Sequence, residues 1–185
     1  LVEARVNGEI VGFSGTDVLE PEELEEDVVL GSGMAVDPQY QKMGIGSLIR
    51  TRGVLEDAGE DAYFAARSAN PGILSHMQEQ YGAFPREGES TPYDVETAMR
   101  EAAQAIDRSR FFEPPVMQSA YPEQMNDMPD HELSEFLREI MNEHGEGYDN
   151  GDALVIAAGV SDEALAGEYD SMIDESGFEV REEVI

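Results

Sequence analysis

The chain has 185 residues, with 41 acidic against 11 basic side chains, a formal net charge of −30 at pH 7, and no cysteine. The absence of cysteine excludes disulfides, thiolate metal sites and a cysteine nucleophile. The charge argues against non-specific nucleic-acid binding, since phosphates would be repelled, and no apolar run approaches the roughly 18–20 residues of a membrane-spanning helix.

The acids coat the whole length, as in Glu22-Glu23-Leu24-Glu25-Glu26-Asp27, rather than forming a tail. In dilute buffer such self-repulsion destabilises the compact state. In molar salt the Debye length falls to about 3 Å and the repulsion fades. A salt-rich, halophilic cytoplasm is the setting this predicts. An acidic surface for a basic partner is the competing reading, although a partner surface should be a patch rather than a coat. The chain opens at Leu1 directly in a strand pattern, which reads as a partial chain. It shows no basic-then-apolar leader, which fits a cytoplasmic location.

Residues 1–6 and 9–15 read as strands joined at Asn7-Gly8, a dipeptide that tolerates positive φ at both turn positions. An acidic loop over about 17–27 leads into 28–36, which reads as a buried strand stopped by Asp37-Pro38. Ile45, Leu48, Ile49 and Leu55 form a helical stripe over 45–58. Residues 62–68 read as a strand. Asn70-Pro71 then reads as an N-cap with proline at the first helical position. That helix runs to about Gly82 with Ile73, Leu74 and Met77 on its apolar face. In the second half the pattern predicts a helix from Thr91-Pro92 to about Asp107, a loop over 111–115 and a helix from about Asp130 to Gly145. A strand over 153–158, a helix over 162–175 and a strand over 178–184 follow. Residues 85–92 and 109–129 read as linkers, Met125 and Met128 as gap fillers. The expected fold is α/β, a mixed and mostly antiparallel sheet flanked by helices, with a functional region over 1–88 and an α/β extension of uncertain role over 89–185.

The segment Val36-Asp37-Pro38-Gln39-Tyr40-Gln41-Lys42-Met43-Gly44-Ile45-Gly46-Ser47 carries the chemistry. A strand ends, a loop holds Gln-x-x-Gly-x-Gly, and an amphipathic helix begins. Glycines let successive main-chain N–H groups approach a phosphate, and the helix N-terminus adds partial positive charge. The only lysine, Lys42, lies in this loop, and Lys42, Arg50, Arg52 and Arg67 put four of the eleven cations within residues 42–67. The spacing fits neither Gly-x-x-x-x-Gly-Lys-Ser/Thr nor Gly-x-Gly-x-x-Gly, where Ile49 replaces the third glycine. The three histidines, His76, His131 and His144, have no metal-binding spacing, and no Gly-x-Ser-x-Gly elbow is present.

This segment resembles the GNAT superfamily of acetyl-CoA-dependent N-acetyltransferases, over about residues 1–85. Their signature is a strand of the form Val-x-Pro followed by Gln/Arg-x-x-Gly-x-Gly/Ala opening a helix, here Val36-Asp37-Pro38 and Gln41 to Gly46. The flanking hairpin, the helix over 45–58, the strand over 62–69 and the helix from Asn70 fit the family's order. The resemblance implies acetyl-CoA as cofactor and a small-molecule or peptide amine as acceptor. Met34, Ala35 and Val36 would pair with the pantetheine arm. Main-chain N–H groups of Gln41, Lys42, Met43, Gly44, Ile45, Gly46 and Ser47 would hold the diphosphate, and Asn70 would touch the cofactor. The acetyl carbonyl would lie near the N–H of Val36 or Met34.

The chain departs from the family pattern at two positions. Met77 stands where a proton-donating tyrosine is often found, leaving Tyr81, one turn on, as the nearest substitute or as a core aromatic. Ser32 stands where a glutamate base often sits, and nothing selects Glu79 or the acidic loop in its place. The first strand and two helices that build the family's acceptor side have no counterpart in these 185 residues. On the Met77 and Ser32 departures, an acyl-CoA-binding or regulatory module without turnover is the rival reading. The strand–helix–Gly-Phe–strand pattern over 151–184 is also similar to the end of S-adenosylmethionine-dependent methyltransferases, to a second acetyltransferase-like half, or to strands that extend the first sheet.

Overall fold

The computed structural model describes residues 1–121 and 128–176. Strands β1 (Val2–Val6) and β2 (Glu9–Leu19) form the antiparallel hairpin expected at Asn7-Gly8, where φ is +52° and +86°. Strand β3 (Asp27–Val36) pairs antiparallel with β2, and a short 3₁₀ turn over Pro38–Tyr40 leads to helix α1 (Ile45–Asp57). Strand β4 (Asp61–Ser68) lies parallel to β3 and is followed by α2 (Pro71–Tyr81) and α3 (Tyr93–Asp107). Residues 111–117, expected to hold a loop, contain a small hairpin of β5 (Phe112–Glu113) and β6 (Val116–Met117). Helix α4 (Ser134–His144), strand β7 (Ala153–Ser161) and helix α5 (Asp162–Ser176) complete the described chain. The strand expected over 178–184, and Met125, lie outside the described residues.

Among the described residues seven strands form one sheet in the order β1-β2-β3-β4-β7-β6-β5, antiparallel except between β3 and β4. The architecture is thus the mixed, mostly antiparallel α/β sheet that the pattern predicts. Strand β7 runs antiparallel along β4 from Asp61↔Ser161 to Ser68↔Leu154, so residues on either side of position 88 share one sheet. Leu154, Val155, Ile156 and Ala157 are fully buried there. Asp152, just before β7, is buried and accepts from the N–H groups of Ser119 (2.8 Å), Glu146 (2.6 Å) and Gly147 (2.7 Å). One carboxylate thereby ties two loops to the base of a central strand.

Helices cover both faces. Consecutive strand residues point to opposite faces, and on β4 Phe64 meets Tyr81 of α2 edge-on at 5.5 Å, whereas Tyr63 donates to Asp94 of α3 at 2.7 Å. Helix α1 shares the α2 face, through Ser47 with His76 (2.9 Å) and Thr51 with Tyr81 (2.7 Å), and α5 packs on α1.

Candidate functional site

Strands β3 and β4 pair only from Asp27↔Ala62 to Gly31↔Ala66. Beyond Gly31 they separate: β3 stays with β2 and β4 stays with β7. The separation begins at an irregularity in the β2–β3 register, where Gly15 faces Gly33 and Thr16 faces Gly31, leaving Ser32 as an extra residue. A bulge of this kind bends and twists its strand. The consequence is that residues 32–35 of an interior strand are exposed, Met34 at 40%. The expectation of a buried strand over 28–36 therefore holds for Val28, Val29 and Leu30 and fails beyond them. From Ser32 to Val36 the edge of β3 turned towards β4 makes no ladder, an opening of strand length that can accept an extended chain.

The glycine loop closes onto the end of this edge. Asp37 Oδ1 accepts from the N–H of Gln39 (2.9 Å), fixing the 3₁₀ turn, and the Gln41 carboxamide donates to the carbonyl of Val36 (3.0 Å). Lys42 sits at φ +66° and Gly44, the N-cap of α1, at φ +80°. Gly44 offers no side-chain acceptor, and intrahelical bonding starts with Leu48 N–H to the Gly44 carbonyl at 3.1 Å. Among the described residues, the N–H groups of Ile45, Gly46 and Ser47 have no hydrogen-bond partner. The first-turn donors that every helix leaves over are uncapped here, at the positive end of the α1 dipole. A side chain at Gly46 would point at the Met34 side-chain end (3.4–3.5 Å), so this first turn lies directly against the open edge of β3.

Met34 lines a cavity of about 200 Å³ in the separation, together with Ser14, Arg50, Arg67, Ser68 and Met77 among others. Arg50 is 7% exposed, its Nη2 lies 4.0 Å from the Met34 sulfur, and its Nη1 has no hydrogen-bond partner. Burial lowers the pKa of its guanidinium. Arg67 stacks on Tyr121 (5.1 Å) and donates to the carbonyl of Ala120 at 3.4 Å. His76 on α2 meets the Ser47 hydroxyl, and its pKa is lowered by burial and then by the Arg50 charge.

The structure brings Met34, Ala35 and Val36 to the open edge and Gln41 through Ser47 to its end. Asn70 acts as N-cap of α2, its Oδ1 accepting from Gly72 at 2.9 Å. Met77 is fully buried. Tyr81 interacts electrostatically with Arg50 but is not among the residues that line the cleft cavity. Its hydroxyl is engaged with Thr51, its pKa is raised by burial, and its ring lines a second cavity of about 530 Å³ with Tyr63, Gln80 and Glu168. His76 escapes sequence reasoning as a site residue, and Arg50 is marked there only as one of four clustered cations, without its place in the cleft. Arg50 sits inside an apolar stripe, and the Ser47 partner of His76 is 29 residues away. Of the four cations clustered in sequence, Arg52 pairs with Glu56 (2.8 Å) and lies over the Tyr169 ring, away from the cleft. No group of three or more His, Asp or Glu with metal-binding geometry occurs among the described residues. No described helix is long and apolar enough to cross a membrane.

Residues 1–62 match the model of the acetyltransferase (GNAT) family. The match takes in the hairpin, β3, the glycine loop and α1, and it supports an acyltransferase-type function. It ends at the start of β4, so Arg67, Asn70 and Tyr81 lie beyond it. None of the curated proteins matches the chain.

Proposed function

We propose that the protein moves an acetyl group from acetyl-CoA to a primary amine of a small molecule or peptide, by direct attack in a ternary complex. The observation that carries this reading is the run of unpartnered N–H groups at the start of α1, continuous with the unpaired edge of β3. The coenzyme's diphosphate would take the amides of the 41–47 loop, and its pantetheine arm would lie along Met34, Ala35 and Val36 as an added strand. Asn70 would lie beside it. The thioester carbonyl would then face the N–H of Met34 or Val36, donors already in place for the negative charge that develops on oxygen.

An amine attacks only when unprotonated. The guanidinium groups of Arg50 and Arg67 line the cleft, and a nearby like charge lowers an ammonium pKa, so this cleft favours the neutral amine. The same positive field stabilises the leaving thiolate. Tyr81 is the nearest phenol, and with its hydroxyl engaged by Thr51 the first stabilisation of the thiolate falls to Arg50.

A binding module without turnover is the second reading. It is favoured by one observation: among the described residues no carboxylate, histidine or tyrosine lines the cleft. Thiol release from acetyl-CoA with a panel of primary amines in molar KCl separates the two. Turnover with any amine supports the transferase. Coenzyme binding without release across the panel supports the module, and absence of binding overturns both.

A further inference from the structure

We propose that the cleft between β3 and β4 is a receptor for a carboxylate carried by one of the two substrates, with Arg50 and Arg67 as its two arms. The inference rests on the acyl-CoA reading above for the placing of the substrates, and it adds their chemical class.

Arg50 enters the cleft from the α1 face of the sheet. Arg67 has the strand parity of Tyr63, which meets α3, so it enters from the opposite face. The slot between the strands is thus flanked by a guanidinium on each side. The chain has 41 acidic residues, yet among the described residues none of them lines this cavity. Among the described residues neither arginine forms an ion pair, whereas Arg5, Arg52, Arg86, Arg100 and Arg110 all do.

The energetic anomaly is Arg50. At 7% exposure it has lost most of its water, and its Nη1 has found no protein acceptor in exchange. An unpaired buried charge costs several kcal/mol, so a merely structural arginine here would be expected to have an acid beside it. A filler would be apolar, as Leu48 and Ile49 are in the same turn. A planar fork of donors suits a carboxylate, which it can grip with two parallel bonds. The diphosphate has its own donors at the loop, which leaves the cleft arginines for a group nearer the reacting end.

The carboxylate has two possible sources, the acyl chain of a dicarboxylic half-thioester or an amino-acid acceptor. Calorimetry on the full chain in 1 M KCl distinguishes them. One arm compares succinyl-CoA and malonyl-CoA with acetyl-CoA. The other, on protein saturated with CoA, compares amino acids of graded length with alkylamines of matching length, such as β-alanine with propylamine. The expected result is a preference of about tenfold or more for the carboxylate in one arm, the size of a charge-assisted hydrogen bond. That ratio should fall towards one in Arg50→Met and to an intermediate value in Arg67→Gln. A structural role for Arg50 would lower all affinities together and leave the ratio unmoved. Should Arg50→Met fail to fold, Arg67→Gln reads the same ratio. Wild-type protein that binds CoA but shows no preference in either arm overturns the carboxylate receptor, as does a preference that survives both substitutions. Failure of CoA itself to bind overturns the cofactor reading, and this inference with it.

Discussion

His76 joins the glycine loop to α2 through Ser47, and its environment opposes protonation. Burial is the first cause and the Arg50 charge the second. Glu79, Glu168 and the bond to Gln80 act in the other direction without reversing the balance. A base whose pKa falls on folding binds fewer protons in the native state. Stability therefore decreases as pH drops below the ordinary histidine value of 6.5 and is fully recovered above it. Replacing His76 by glutamine should remove that component. Urea midpoints across pH 5 to 8 should give wild-type and His76→Gln curves that keep a constant offset above about pH 6.5 and shift against the wild type as pH falls below it, beyond the slope both share from their carboxylates. Parallel curves would contradict this account of His76. At this scale the sequence is legible where the determinants are local. Asn7-Gly8, the Asn70 cap and the Gly44 turn each depend on neighbouring residues, and each lies where expected. Arg50 is not legible, because a stripe of apolar positions says nothing about an arginine among them until the separated strands reveal what it faces.

Two strands carry the architecture of the site. β3 opens the cleft by leaving β4 after Gly31, and the trigger is the extra residue Ser32. The apolar pattern over 28–36 reads as a buried strand. Gly31 and Gly33 on either side of Ser32 are the residue types that accompany a bulge, and the family resemblance implies a strand that splays from the next. β7 holds the other side of β4 in place, and its position between β4 and β6 depends on pairings between residues some ninety positions apart. Its strand character is legible in Leu154-Val155-Ile156, its neighbours are not. The anchor of β7 is Asp152, the shared acceptor of three main-chain N–H groups. Asp152→Ala leaves those donors without an acceptor in a buried site, at about 1–3 kcal/mol each. A loss of at least ~3 kcal/mol is expected from urea unfolding followed by circular dichroism. A change below ~1 kcal/mol would mean that other acceptors or water already satisfy those groups.

Across the whole molecule the net charge of −30 works against compactness, and on the proposed function the glycine loop would have to attract a polyanion despite it. Local donors would answer that conflict: the uncapped first turn of α1, Lys42 beside it, and two arginines in a cleft that no described acid lines. Screening should help the fold as a whole, since a Debye length near 3 Å in molar salt removes repulsion between surface carboxylates. The melting temperature should therefore rise by several degrees or more between 0.1 and 2 M KCl, and a flat or falling profile would show that the acidic coat is neutralised in another way. The expectation of two regions, divided near residue 88, followed from a change in pattern along the chain; one sheet receives strands from both.

The first turn of α1 as a diphosphate cradle is the claim on which the functional account depends. Amide chemical shifts followed by nuclear magnetic resonance during a titration with CoA in 1 M KCl test it most directly. The largest shifts are expected at the N–H groups of Gly44, Ile45, Gly46 and Ser47, with smaller ones along Met34 to Val36, and both sets should vanish in Gly46→Asp, where a carboxylate placed beside Met34 would lie against the bound coenzyme. Shifts confined to the second cavity around Tyr81 and Glu168, or a Gly46→Asp protein that titrates like wild type, would contradict it.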